Sequence, residues 1–414
     1  MHGGLRAASA CVLVAVLALA AAGCGGGSGD AAASKDGPRT LTIYSSLPLH
    51  GADRERSRDM VNAIKLALQE SGGKIGPLSV TYVSLDASTA KDATWTRDQV
   101  LDNARTAVRD LNAIAYIGDM DSAATALSLP LTNEGHVLQV SPSSTYDGIT
   151  RPGGRRPAEP ERFYPSGIRT FGRIVPADHV QASALVGYMK AEGVHRLALL
   201  ADRDLYGGGL ADQIEKAAAR QGIHVVDRGR IDARKRDLSD TAKDVAAQDA
   251  DAFLFAGGDD SGAARIYQAV ATAAPGMALF GSGAVEDDPA VARLPASVLR
   301  RLRVTSPLLP LRLLPRSARL FDARFRTTFG RHPAPDALQA YEATRVVLDA
   351  IRAAGTKGND RQAVTDAFFA TRDHPSVLGS YSIDHNGDTT LSTFAGNRVT
   401  RNGPVLEKVL KVRR

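Results

Sequence analysis

Ser122, Ser143 and Thr145 have the side chains and positions in this 414-residue chain that suit holding a solute without reacting with it. Ser122 follows a short apolar run at residues 113–117, closed by Gly118, and opens a helical stretch at residues 122–134. The first amides of a helix lack intrahelical partners, and the positive end of its dipole favours an anion. Ser143 and Thr145 come just after the next apolar run, residues 137–140, which ends at Ser141-Pro142. Hydroxyls donate hydrogen bonds without adding charge, so the three together fit reversible capture of a small carboxylate. The same residues also fit a helix cap and a plain turn that touch no ligand.

Other chemistry is poorly served. The chain has no Gly-x-Ser-x-Gly elbow, no Walker loop and no His-Glu-x-x-His helix, and its nine histidines are scattered. Gly207-Gly208-Gly209 stands between a strand and a helix, but the dinucleotide-binding spacing is missing. Asp384, Asn386 and Asp388 imitate the start of a calcium loop. Its required glycine is replaced by Thr389 and its closing acid by Ala395, so a hairpin turn at Asn386-Gly387 accounts for them. The expectation is a binder rather than an enzyme, with no cofactor and no metal. Charge is mildly basic, +6 in total, with basic clusters at residues 151–162 and 300–331. Aromatics are only 5% and acids are plentiful, which argues against a nucleic-acid partner.

The amino terminus predicts where such a binder would work. Arg6 precedes an apolar run at residues 7–22, too short to span a bilayer comfortably, and small residues close on Gly23 and Cys24. Ala21-Ala22-Gly23-Cys24 resembles a bacterial lipobox, with alanine at Ala21 where leucine is usual. That resemblance implies a lipoprotein signal peptide at residues 1–23, acyl groups on Cys24 and a Gly/Ser-rich tether at residues 24–38. Cys11 lies in the discarded segment, so the mature domain has no structural thiol. No later stretch is long and apolar enough to span a membrane, leaving lipid as the anchor to the outer face of the cell membrane.

The elements that position Ser122, Ser143 and Thr145 come in two β/α series. The first has apolar strands at residues 40–45, 78–85, 113–117 and 137–140. Its helices carry one-sided stripes through Met60, Ala63, Ile64, Ala67 and Leu68, then Val100, Leu101, Ala104, Ala107, Val108 and Leu111. A Pro/Gly/Arg-rich loop at residues 151–165 precedes the second series, with strands at residues 197–200, 224–226, 252–255 and 277–280. Alternation of this kind predicts an α/β fold with two doubly wound parallel-sheet lobes, whose ligand site lies at the carboxyl ends of the strands. Helices near residues 316–329, 340–351 and 361–370, before a β-rich tail at 380–412, belong to neither series and predict a chain that crosses back between lobes.

Five segments taken in order resemble the type I periplasmic solute-binding proteins of the branched-chain amino-acid transporter class. They are Ala63-Ile64-Lys65-Leu66-Ala67 with Ser71-Gly72-Gly73-Lys74-Ile75-Gly76, Tyr116-Ile117-Gly118-Asp119-Met120-Asp121-Ser122, Val140-Ser141-Pro142-Ser143-Ser144-Thr145, Leu200-Ala201-Asp202-Arg203-Asp204-Leu205-Tyr206-Gly207-Gly208-Gly209-Leu210-Ala211, and Leu378-Gly379-Ser380-Tyr381-Ser382-Ile383-Asp384-His385-Asn386-Gly387-Asp388. The resemblance implies lobes of residues 39–171 with 306–377 and of residues 172–305 with 378–414, joined by a three-crossing hinge. It also implies that Ser122, Ser143 and Thr145 hold a ligand carboxylate and that Tyr206 lines the facing lobe. The acid expected to pair with a ligand ammonium falls on Gly283 here. Asp259, Asp260 or Glu286 could supply the charge, or could serve as helix N-terminal acids. Arg56 fits either contact with an acidic ligand or a solvated helix start. The expected partners are an amino acid or small carboxylate, an ABC-type permease, and the membrane through Cys24. The molecule is expected to be a monomer. A sensor or assembly lipoprotein acting through a membrane protein is the alternative.

Overall fold

The computed structural model describes residues 40–413, apart from Ala93 and residues 259–261. The leader, Cys24, the tether, Asp259 and Asp260 lie outside the described residues. Strand segments such as Ala113–Ile117 and Ala252–Ala256 are buried at every position, so they need cover on both faces of a parallel sheet. Two sheets meet that need. The first contains β1 (Thr40–Leu47), β2 (Lys74–Ile75), β3 (Leu78–Asp86), β4 (Ala113–Ile117), β5 (Leu138–Ser141) and β6 (Phe171–Arg173), in the order β2-β3-β1-β4-β5-β6. All pairs are parallel except β2 with β3. The second contains β7 (Arg196–Ala201), β8 (His224–Arg230), β9 (Ala252–Ala256), β10 (Ala278–Gly281) and β11 (Leu302–Ser306). A two-stranded ribbon, β12 (His374–Pro375) with β13 (Ser380–Tyr381), stands apart. The hairpin β14 (Thr393–Thr400) and β15 (Gly403–Lys411) extends the second sheet, whose order is β15-β14-β11-β10-β9-β7-β8.

Helices α1 (Arg54–Glu70), α2 (Arg97–Arg109) and α3 (Ser122–Glu134) cover the first sheet. The stripe Met60, Ala63, Ile64, Ala67 and Leu68 is buried, as periodicity predicted. Leu111 is not part of the second stripe, because α2 stops at Arg109 and leaves Leu111 85% exposed. Helices α4 (Asp178–Ala191), α5 (Leu205–Gln221), α6 (Ser239–Ala246), α7 (Ala263–Ala273), α8 (Gly283–Asp287) and α9 (Ala296–Leu299) surround the second sheet. The later helices α10 (Arg316–Phe329), α11 (Pro335–Ala353) and α12 (Arg361–Phe369) return to the first. Their Phe321, Phe325, Val346, Val347 and Phe368 share one core with Ile43, Ile64 and Ile117. Pro335 at the first turn of α11 costs no hydrogen bond.

The chain therefore passes between lobes after β6, after β11 and before β14. Tyr381 and Ile383 are buried in the first-lobe core, so the expected division at residues 377/378 falls inside a segment that still packs with that lobe. Asp384 and Asp388 flank a tight turn at Asn386-Gly387, bracketed by an Ile383–Thr389 bridge. Both acids are paired with arginines. Arg151 pairs with Asp384 at 2.9 Å and with Asp388 at 2.7 Å, and the fully buried Arg173 pairs with Asp388 at 2.8 Å.

Candidate ligand-binding cleft

A cavity of about 700 Å³ lies between the lobes at the carboxyl ends of the strands. Ser122, Ser143 and Thr145 line it from the first lobe, and Tyr206 and Gly283 line it from the second. Gly258, two residues past the end of β9, is on the same wall. The loops after β4, β5, β7, β9 and β10 thus converge on one space.

The hydroxyls are more committed than sequence alone suggests. Ser122 Oγ accepts from the amides of Thr145 and Tyr146, each at 3.3 Å, and from Ser144 Oγ at 3.3 Å. Its oxygen therefore stitches the loop after β5 to the start of α3, leaving its own proton available to donate. Ser143 Oγ donates to the Met120 carbonyl at 2.8 Å, so it faces the cleft as an acceptor. The cap of α3 is Asp121 rather than Ser122. Its Oδ1 accepts from Ala123 N at 2.7 Å and from Ala124 N at 3.2 Å. Two of the helix-start amides predicted to attract an anion are occupied by the protein's own carboxylate, and that carboxylate is on the cleft wall. An Asp immediately before the helix was a legible cap signal.

On the second lobe, Gly283 opens α8 and offers no charge. A Cβ there would sit 3.4 Å from the Thr305 carbonyl oxygen. One turn along, Glu286 reaches the cleft, its Oε2 accepting from Asn397 Nδ2 at 2.9 Å. Burial pushes the Glu286 carboxyl above its ordinary pKa, and the Asn397 bond works against that rise. Asn397 is on β14, more than a hundred residues away in sequence, and nothing local in the chain marks it as a cleft residue. Tyr206, half-buried at the start of α5, also packs on the second-lobe core.

Arg56 is neither a solvated helix start nor a lone ligand contact. Its Nε donates to Asp336 at 2.8 Å, which ties α1 to α11 at the cleft edge. The remaining wall is apolar and includes Trp95, Met120, Leu308, Leu309, Leu311 and Phe321. Most of these come from the second crossing and α10, elements that periodicity assigned to neither series. Gly207-Gly208-Gly209 is explained by close packing of α5 against its surroundings, for Gly208 and Gly209 the stretch after β5 that carries Tyr146 and Arg155. A Cβ on Gly209 would approach the Tyr146 ring to 2.5 Å, and one on Gly208 would approach the Arg155 guanidinium to 2.9 Å. Among the described residues no group of His, Cys, Asp and Glu could hold a metal ion.

Two parallel-rich lobes with a strand-end cleft between them define a solute receptor of the two-lobed α/β type. The chain belongs to the periplasmic binding protein family, whose model matches residues 40–403. It is 23% identical over 370 residues to the Leu/Ile/Val-binding protein BraC3 of Rhizobium johnstonii, covering 86% of this chain and 90% of that one. It is 22% identical to an amino acid binding protein of Pseudomonas aeruginosa, covering 79% of this chain and 80% of that one. The fold is similar to that of the leucine binding protein LivK of Thermotoga maritima, with a TM-score of 0.75 and 21% identity over 90% of this chain and 99% of the other. It is also similar to a Rhodopseudomonas palustris solute binding protein in complex with benzoate, with a TM-score of 0.71 and 17% identity over 91% and 98%. The family and these relatives are binding proteins, and the reading of a receptor rather than an enzyme rests on them. No helix among the described residues is long and apolar enough to cross a membrane.

Proposed function

We propose that the chain is a lipid-anchored solute-binding protein of an ABC importer, capturing a small polar solute, an amino acid or related carboxylate, between its lobes. The observation that carries this reading is the convergence of Ser122, Ser143 and Thr145 with Tyr206 and Gly283 on a single interlobe cavity. A ligand touching both walls favours the closed state over the open one by the contacts it gains, which is the signal a permease reads. The protein acts as a monomer on the outer face of the membrane, held through acylated Cys24. Mass spectrometry of the solute carried through native purification names the ligand, and calorimetry with that solute gives its affinity. Ser122→Ala with Thr145→Ala should weaken binding at least about tenfold while leaving the fold intact, since each lost hydrogen bond to a charged ligand group is worth roughly 1.5–3 kcal/mol. Unchanged affinity would remove both residues from the site.

A further inference from the structure

The second crossing is rich in leucine and proline, running Pro307-Leu308-Leu309-Pro310-Leu311-Arg312-Leu313-Leu314-Pro315. Leu308, Leu309 and Leu311 line the cleft, remain half-buried, and pack in part on the first-lobe core. Leu314 is buried in that core and anchors the segment. Proline fixes φ, and the backbone is extended where two of the prolines stand. Pro310 has φ −51° and ψ 141°, and Pro315 has φ −54° and ψ 160°, close to polyproline geometry. A backbone stiffened in this way needs little further ordering on binding, so the leucines form a wall that exists before a ligand arrives.

Other elements extend the same surface. Trp95 comes from the loop after β3 and Met120 from the loop after β4, and both line the cleft. Phe321 of α10 is on the wall too, braced by Tyr341 with ring centroids 4.7 Å apart. Tryptophan offers a flat face for stacking, and methionine adapts its shape and favours contact with rings. Apolar surface gathered in a concave site marks a place where a ligand buries apolar surface of its own. The cavity of about 700 Å³ lies within the range of roughly 300–1,000 Å³ that encloses drug-sized molecules. A leucine side chain or a single benzoate ring would leave most of that wall uncovered.

We propose that the cleft selects an amphiphilic solute, whose polar head carries an apolar group larger than a leucine side chain or a benzoate ring. A phenylpropyl group or a medium-length alkyl chain is of the right kind, seated on Leu308, Leu309 and Leu311 with Trp95 and Met120. This rests on the receptor reading above and narrows its ligand class. Ser122, Ser143 and Thr145 hold the head, and the second crossing selects the tail. Each methylene buried on the wall raises affinity about fourfold, so the size of the tail ranks the ligands. A solute without a tail gains only the contacts of its head.

The test is a titration of the purified mature protein, read by calorimetry and by the emission of Trp95, the single tryptophan of the chain. The probes are alanine, leucine and homophenylalanine, and benzoate, 3-phenylpropanoate and octanoate. In the series whose head is accepted, homophenylalanine should bind about tenfold or more tightly than leucine, or 3-phenylpropanoate or octanoate than benzoate. Trp95 emission should move to shorter wavelength in step with the heat, as the tail displaces water from its ring. Leu308→Ala with Leu309→Ala should weaken the larger ligand about tenfold or more and the smaller one far less. Leu311→Ala, a milder change, should weaken the larger ligand about threefold or more. Leucine or benzoate binding as tightly as its larger relatives overturns the inference and leaves the receptor reading standing. An unaltered affinity for the larger ligand in both leucine variants does the same, as does binding that leaves Trp95 emission unmoved. Binding of none of the six overturns the receptor reading and the inference with it.

Discussion

Asp178 supplies a sharp test of how buried charge is handled beside the cleft. It begins α4 directly after the first crossing, is fully buried, and ties its amide to the Thr145 carbonyl at 2.9 Å. Neither carboxyl oxygen meets a well-aligned donor among the described residues. Burial and the nearby Asp147 carboxylate push its pKa from 3.8 up to about 8, while Thr145 and Arg173 pull the other way. The folded protein therefore binds a proton here that the unfolded chain releases above its ordinary carboxylate range. By linkage the stabilisation is complete below about pH 4 and is lost as pH rises toward 8. A displacement of about four units at 1.36 kcal/mol each sets a ceiling of about 5–6 kcal/mol on the loss, less whatever relaxation recovers. Asp178→Asn keeps the shape and removes the ionisation. Urea unfolding from pH 4 to pH 9 should show the two proteins equal at pH 4, and the variant more stable by at least about 2 kcal/mol at pH 8. Curves that stay parallel over the whole range would refute the reasoning, because an Asp that ionises freely cannot make stability depend on pH in this window.

Further outcomes follow from single contacts. Gly209→Ala drives a methyl group to 2.5 Å from the Tyr146 ring and should cost about 1–3 kcal/mol in urea melts, despite alanine's better helix propensity. Arg173→Met removes one of the two arginines paired with the buried Asp388 and leaves Arg151 as the other, so the cost should be at most about 3–5 kcal/mol. The same variant should unfold at a higher pH in acid titrations. In the parent, burial tends to raise the Asp388 pKa, but Arg173 and Arg151 more than reverse this and lower it to about 2. That stabilisation is present above the ordinary carboxylate range and disappears as pH falls through 2. Cys24→Ser should move the protein from the membrane fraction to the soluble fraction, and retention in membranes would defeat the lipobox reading.

The alternation of strands and helices was legible because it depends on local periodicity, and the buried stripes of α1 and β4 followed from their own residues. The positions of Ser122, Ser143, Thr145 and Tyr206 on one cleft were legible for a related reason, since strand ends in an open parallel sheet all point to the same edge. What the sequence hid were contacts between residues far apart in the chain. Glu286 meets Asn397 across 111 positions, and Arg56 meets Asp336 across 280. No period or motif predicts which acid faces which base at such separations. The calcium-like spacing of Asp384, Asn386 and Asp388 shows the converse error that local reading invites. The spacing reflects a tight turn, and the charges serve two arginines brought in from the stretch between β5 and α4.

Those arginines join the first crossing to the segment before the third. Arg173 ends β6 at the first crossing, and its guanidinium is completely buried, which is unfavourable by several kcal/mol unless every donor is matched. Its partners are Asp388, the carbonyls of Ser144 and Tyr146, and the Thr150 hydroxyl. Three of these belong to the loop that carries Thr145, and the fourth belongs to the segment just before the third crossing. The Arg173 amide also donates to the Gly387 carbonyl at 2.9 Å, which binds the two crossings side by side. A side chain at Gly387 would collide with the Phe171 carbonyl, so glycine is what lets the backbones come this close. Translation of one crossing along the other would break this set together, whereas small backbone torsions spread over the three crossings keep it. On the proposed receptor reading, closure would be a hinge motion about this charged set, to which the cleft loop after β5 is tied through Ser144 and Tyr146.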